Sequence, residues 1–302
     1  MTTPSCTYPP GPQGEFAHRP IVWGTRGMVG GGTQLTAQAG MRILWHGGNA
    51  VDAAVAAAFA AGVLEPTAHY SLGGEVACLF YDRSSQQVRS VVGPGWAPQA
   101  ATVDHYLATW GEIPSGVLST TVPGVISALL TLLSHYGTMS FRQVVESALR
   151  FARDGFPTYQ LLHRAIGSPE RRANLQKYAD SARVYLPNGQ PPALGSLFTQ
   201  PDLARTLTLM AEAEQQAVER GQSRVAALQA ARDVFYKGDV ARRMVQALQN
   251  LGGLHTYEDF ADYTSPLEEP LATTYRGYQL FTNRTWTQGD HLAAGVEHPG
   301  GL

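Results

Sequence analysis

Nine histidines and two cysteines are the residues of this chain best suited to hold a metal. Their spacing argues against one. His18, His46, His69, His105, His135, His163, His255, His291 and His298 include no pair with the spacing of a helical zinc site, and Cys6 and Cys78 form no Cys-x-x-Cys. The row Ser119-Thr120-Thr121 places three hydroxyls ahead of Pro123-Gly124. A hydroxyl nucleophile needs a base within reach, and none stands nearby in sequence, so capping of the following helix is the first reading. The run Gly30-Gly31-Gly32 precedes a helix and could seat an anion on its N-terminus, or simply make a tight strand-to-helix turn. No GxSxG, no P-loop and no GxGxxG after a strand occurs. What remains is VVGPGWAP (91–98), where Trp96 is held between Gly-Pro-Gly and Ala-Pro. It reads either as a stiff turn carrying a packed aromatic or as part of a pocket wall.

Positioning such residues falls to elements that the pattern predicts. MVGGG (28–32) has the shape of a short strand. Thr33 caps a helix to about Trp45, with Leu35, Ala39 and Ile43 on one face, ended by Gly47-Gly48. Asn49 caps a second helix, AVDAAVAAAFAAGVL, in which Asp52 sits where a carboxylate meets free N–H groups. Alanine on nearly every face marks that helix as buried on several sides. Residues 71–82 and 88–93 read as a hairpin. A helix at 103–110 follows, then an apolar helix from near Pro123, then a Ser140-capped helix over 140–155. Residues 156–250 are mostly helical with a loop at 186–195. A turn, a Thr256 cap and a short helix occupy 252–263, residues 273–282 are strand-like, and no period is legible after 283.

The chain has 302 residues, 44% of them hydrophobic, enough for a sizeable core. Only 15% are charged and the net charge is −2, with no run of Lys or Arg, so nucleic-acid binding has little electrostatic support. Two cysteines make no disulfide framework. Residues 1–18 read as a disordered leader without the basic and apolar regions of a secretory signal. The most apolar stretch, Ala50 to Leu64, is too short to span a bilayer and carries Asp52. A cytoplasmic location, with no membrane partner, is expected.

Several stretches taken together resemble the gamma-glutamyltransferase family: residues 27–66 with GGNAVDAAVA, SLGGEVACLFYD (71–82), residues 122–156 with YGTMSF and ARDGF, residues 233–263 with GGLHTYEDFADY, and TTYRGYQLF (273–281). The match runs in order over roughly 19–290. It implies an α/β (α+β) fold, the αββα sandwich of the N-terminal-nucleophile hydrolases, made as one chain that cuts itself. A threonine at the new N-terminus is then the nucleophile and its own α-amine the base. Backbone N–H groups stabilise the oxyanion, the substrate is a small amide, typically γ-glutamyl, and no metal or organic cofactor takes part.

Two departures qualify the resemblance. The nucleophile belongs to a small subunit that follows the large one. No threonine here matches it, including Thr120, Thr121, Thr273 and Thr274, and the tail 291–302 does not resemble the family's continuation. The expectation is an incomplete large-subunit part, catalytically inactive alone, with apolar faces exposed and a small subunit from the same precursor as its partner. Second, the family carries an Arg-Glu pair before Ala-Pro in the loop after the hairpin, the arginine binding the substrate's α-carboxylate. Here that position falls near Pro94 of GPGWAP, and Arg89 lies upstream in the strand. The substrate-binding candidates are thus Gly95, Trp96 and Arg89. The altered turn and the LGGEV loop look more like the branch that includes oxamate amidohydrolase. A true gamma-glutamyltransferase in which Arg26, Arg89 or a residue outside this chain replaces the arginine, and a non-catalytic large-subunit remnant, are the alternatives.

Overall fold

The computed structural model describes residues 22–68 and 70–297; the expected leader (1–18) and the last five residues lie outside them. The chain opens with two packed helices. α1 (Gln34–Trp45) starts at Thr33, whose hydroxyl accepts from the Thr36 N–H. α2 (Ala50–Leu64) starts at Asn49 with a full capping box, Asn49 and Asp52 each accepting the other's backbone N–H. Most of it is buried: Val55, Phe59, Ala60 and Val63 are wholly inaccessible, while Ala50 and Ala54 are exposed. Residues 28–32 form no strand. Gly31 and Gly32 serve close approach instead, since a Cβ on either would collide with Thr36 or Glu65, and Val29 packs where a Cβ on Gly40 of α1 would stand.

β1 (Cys78–Asp82) and β2 (Gln87–Val91) form the expected hairpin, with Phe80 opposite Arg89. After α3 (Val103–Thr109), α4 (Val125–Tyr136) runs beside β2 and α5 (Phe141–Asp154) beside α2. A miniature ladder joins β3 (Phe156–Pro157) to β4 (Leu197–Phe198) around α6 (Gln160–Gly167), α7 (Pro169–Gln176) and α8 (Ala179–Tyr185). The long α9 (Pro201–Glu219), α10 (Arg224–Tyr236) and α11 (Asp239–Asn250) complete the helical layer, so 156–250 is helical as expected. The short α12 (Tyr257–Ala261) leads to β5 (Leu267–Glu268), which pairs antiparallel with β2. The described residues thus place one helical layer against one side of a three-stranded sheet ordered β1-β2-β5.

The C-terminal part differs from the sequence reading. Residues 273–282 are not one strand but lie in a second hairpin, β6 (Leu271–Tyr275) and β7 (Tyr278–Thr282), closed by Arg276 and Gly277 at φ 50 and 86. Two consecutive positive φ values are what a two-residue hairpin turn requires. Beyond it, α13 (Gly289–Glu297) packs on this hairpin where no period was legible.

One turn ties the helical layer together. Residues 137–141 link α4 to α5, and three charges from three other helices hold them. The Asp52 carboxylate, wholly buried, accepts from Thr138 N (2.8 Å), Thr138 Oγ1 (2.7 Å) and Met139 N (3.1 Å) besides Asn49 N (2.9 Å). Glu214 of α9 accepts from Phe141 N and Arg142 N at 2.6 and 2.9 Å, acting as a remote N-cap of α5. Arg224 donates to the carbonyls of Leu133, Ser134 and Met139. Replacing Asp52 with alanine strands several partly or fully buried N–H donors. Urea unfolding of Asp52→Ala should show a loss of about 3 kcal/mol. The same change at the exposed Asp104 of α3 should shift stability by under about 0.5 kcal/mol.

Candidate functional site

Three glycine-bearing loops converge at the first turn of α4, and they meet backbone to backbone. The Gly74 carbonyl accepts from Gly124 N (2.8 Å) and Val125 N (3.2 Å), the Gly93 carbonyl from Val76 N (3.3 Å), and the Trp96 carbonyl from Val122 N (3.0 Å). A Cβ on Gly95 would lie 1.5 Å from the Val122 carbonyl oxygen, and one on Gly124 would lie 2.1 Å from that of Gly93. Only glycine allows these approaches. α4 has no side-chain cap at Gly124. Its free N–H groups go to the Gly74 carbonyl and, at Ser127, to the Tyr236 hydroxyl (3.1 Å), which itself donates to the Pro123 carbonyl (2.6 Å). The hydroxyls of Ser119 and Thr120, expected to cap this helix, instead donate back to Gly116 and Val117.

The 93–98 loop is clamped from the far end of the sequence. Trp96 Nε1 donates to the Asp259 carbonyl (3.1 Å), the Asp259 carboxylate accepts from Gln99 N (3.0 Å), and the Tyr263 hydroxyl donates to the Pro94 carbonyl (2.8 Å). The indole meets the Tyr263 ring edge-on at 5.3 Å, and Tyr263 stacks on Tyr236 at 5.6 Å. Burial pushes both phenols up. Trp96 is therefore packed along one edge and still leaves 45% of its surface open. Among the described residues, the N–H groups of Gly95 and Trp96 meet no acceptor. The loop leaves an aromatic face exposed and two backbone donors unpaired among the described residues. Asp259 and Tyr263 were not singled out from the sequence; their only local sign was the Thr256 cap, which the Asp259 carboxylate completes.

Arg89 is placed elsewhere. Its strand neighbour Phe80 packs on Tyr136 at the C-terminal end of α4, whereas the Trp96 loop lies at the N-terminal end. The Arg89 guanidinium faces Glu269 at 3.8 Å, and its buried Nε has no hydrogen-bond partner. The anion seat at Gly30–Gly32 is filled from within. Glu65, next after α2, accepts from Thr33 N (3.1 Å) and Thr36 Oγ1 (2.5 Å), and a Cβ on Gly32 would lie 1.9 Å from its Oε2. Among the described residues no three of His, Cys, Asp and Glu come together as a metal site requires, and no helix is long and apolar enough to cross a membrane.

Comparison with known proteins gives one consistent picture. Residues 36–297 match the family described as Gamma-glutamyltranspeptidase. The glutathione hydrolase proenzyme of Bacillus subtilis is 31% identical over 277 residues, 90% of this chain and 44% of that one. The acylase ACY 1 proenzyme of a Pseudomonas strain is 30% identical over 85% of this chain and 44% of its own length. The chain spans less than half the length of these two relatives. Among solved structures, the gamma-glutamyltranspeptidase of Helicobacter pylori superposes with a TM-score of 0.79 at 27% identity, over 90% of this chain and 74% of that one.

Two measurements probe the clamp. Gly95→Ala must displace the Val122 carbonyl and should lower the melting temperature sharply, whereas Trp96→Phe, losing one hydrogen bond and some packing, should lose only about 1–2 kcal/mol. His255 supplies a pH handle: it is 1% exposed and neither ring nitrogen makes a well-formed hydrogen bond. Burial holds its pKa below the ordinary 6.5, against smaller opposing pulls from Asp259 and the Thr121 backbone. The unfolded chain then binds a proton that the folded chain refuses, so stability is lost as pH falls through about 6.5. Chemical denaturation at pH 7.5 and 5.5 should show wild type losing up to about 1 kcal/mol more than His255→Leu.

Proposed function

The chain belongs to the gamma-glutamyltranspeptidase family, and on that premise we propose that it forms the large-subunit part of an amide-cleaving acyltransferase whose acyl pocket is bordered by Gly95 and Trp96. The threonine nucleophile, with its own α-amine as base, comes in this reading from a small subunit of the same precursor. The substrate is a small amide other than a standard γ-glutamyl donor, of the oxamate type. The observation that supports this most is the seat of the 93–98 loop. The position of the family's arginine falls near Pro94, whose carbonyl is tied to Tyr263. What the loop leaves uncommitted is the Trp96 face and the N–H groups of Gly95 and Trp96. Two neutral donors suit a compact acyl group carrying a carbonyl or carboxylate close to the scissile bond. The large payload of an α-amino acid calls for a guanidinium fork that this loop does not supply.

A second reading keeps glutathione-type chemistry, as in the relatives named glutathione hydrolase, with Arg89 as the replacement. The loose 3.8 Å contact to Glu269 and the unpartnered Nε favour it, since neither commits the guanidinium firmly. The whole protein decides between them. Ammonia release from oxamate should exceed release from γ-glutamyl-p-nitroanilide by at least about tenfold in kcat/KM, a difference of roughly 1.4 kcal/mol in transition-state binding. Strong γ-glutamyl turnover overturns the first reading. An Arg89→Met variant with unchanged donor KM removes the second.

A further inference from the structure

Beside α4 lies a cleft of about 510 Å³, within the range of small-molecule sites. It lies between α4, α10 and the segment 261–267, and no carboxylate lines it. Its lining does include Arg232, Lys237 and His135 beside the hydroxyls of Thr131, Ser134 and Thr264. In a chain with more acidic than basic residues, that is a local reversal of sign.

Arg232 is the centre of the reversal. Its guanidinium is only 8% exposed by residue and rests over the Tyr236 ring at 4.4 Å. Nε donates to Ser127 Oγ (3.3 Å) and Nη2 to the Tyr263 carbonyl. Nη1 reaches a carboxylate, Asp233, only at 3.7 Å, beyond hydrogen-bond length. Asp233 is shared further, with Lys237 Nζ at 3.6 Å and Gln229 Nε2 at 2.8 Å. One carboxylate therefore serves two cations, at long range to both. A buried guanidinium compensated this weakly is unfavourable, and burial correspondingly pushes its pKa down.

We propose that this cleft binds a small oxyanion, a carboxylate or a phosphate, held by Arg232 and Lys237 with Thr131 and Ser134 as hydroxyl donors. The anion supplies the missing counter-charge and takes the free donor of Nη1. Charge-assisted bonds from a fixed guanidinium to a two- or three-oxygen group make the strong part of the site. The cleft shares Tyr263 with the clamp behind the Trp96 loop, but it needs neither Gly95 nor the Trp96 face, so it does not rest on the amide chemistry proposed above.

The test uses this chain and three probes, inorganic phosphate, succinate and glutamate, with chloride as the control at matched ionic strength. Thermal unfolding and isothermal titration should show saturable stabilisation by at least one oxyanion that chloride does not reproduce. The probe that saturates at the lowest concentration identifies the source, phosphate or carboxylate. Lys237→Met, at a half-exposed position, keeps the fold and should weaken that binding by about tenfold. Arg232→Lys, which keeps the charge but loses the fork, should weaken it as well; if that variant does not fold, Lys237→Met carries the test. The proposal is overturned by stabilisation that never saturates, by equal stabilisation with chloride, or by binding that Lys237→Met leaves unchanged.

Discussion

Backbone lying directly on backbone at the first turn of α4 is the constraint on which the candidate site depends. Gly95 against the Val122 carbonyl, and Gly124 against that of Gly93, leave no room for any side chain. The contact has an energetic as well as a steric consequence. A helix start closed in by neighbouring loops must satisfy its free N–H groups, and here no side chain of the local sequence does so. The Gly74 carbonyl and the Tyr236 hydroxyl take that role from 50 and more than 100 residues away. The sheet loop, the Trp96 loop and the helical layer are thereby fixed to a single point.

The other end of α4 is fixed just as firmly, by different means. There the 137–141 turn sits among Asp52, Glu214 and Arg224, each spending its charge on several backbone groups. Hydrogen bonds to ionised groups are the strong kind, and removing a charge from such a cluster leaves buried partners stranded. A helix held at both ends has little freedom to tilt. The Trp96 loop inherits that rigidity, because Tyr263 and Asp259 join it to the same assembly through Tyr236. Pre-organisation of this kind is what a pocket wall needs if neutral donors are to bind a small group.

What was legible in the sequence was mostly local. The caps Thr33, Asn49 with Asp52, Ser140 and Thr256 stand where their sequence pattern puts them, since a cap and its N–H lie within three residues. The tight hairpin of β1 and β2 and the largely buried α2 were legible for the same reason, through alternation and composition. What escaped depends on partners distant in the chain. Glu65 fills the glycine seat before α1 from 32 residues downstream of Thr33, and nothing in the glycine run announces it. Asp259 and Tyr263 act across more than 160 residues. The Arg276-Gly277 turn was missed because arginine is not among the residues that ordinarily signal positive φ. The resemblance to a family recovered the fold where periodicity alone stopped at an α/β domain.

The chemistry on offer at the 93–98 loop follows from what its groups have already spent. The indole N–H is committed to Asp259, so it is not available to a ligand, and the Pro94 carbonyl already accepts from Tyr263. The aromatic face and two backbone N–H groups remain, and all three are uncharged. Such a surface selects by shape and by a single accepting oxygen or oxygen pair, with weak electrostatic reach. A guanidinium in the same place would hold a carboxylate bidentately and draw it from further away. In the proposed reading, a turn without the family's arginine recognises by fit rather than charge, and a wall that selects by fit is useful only if it does not move, a condition that the glycine contacts and the Tyr263 clamp favour.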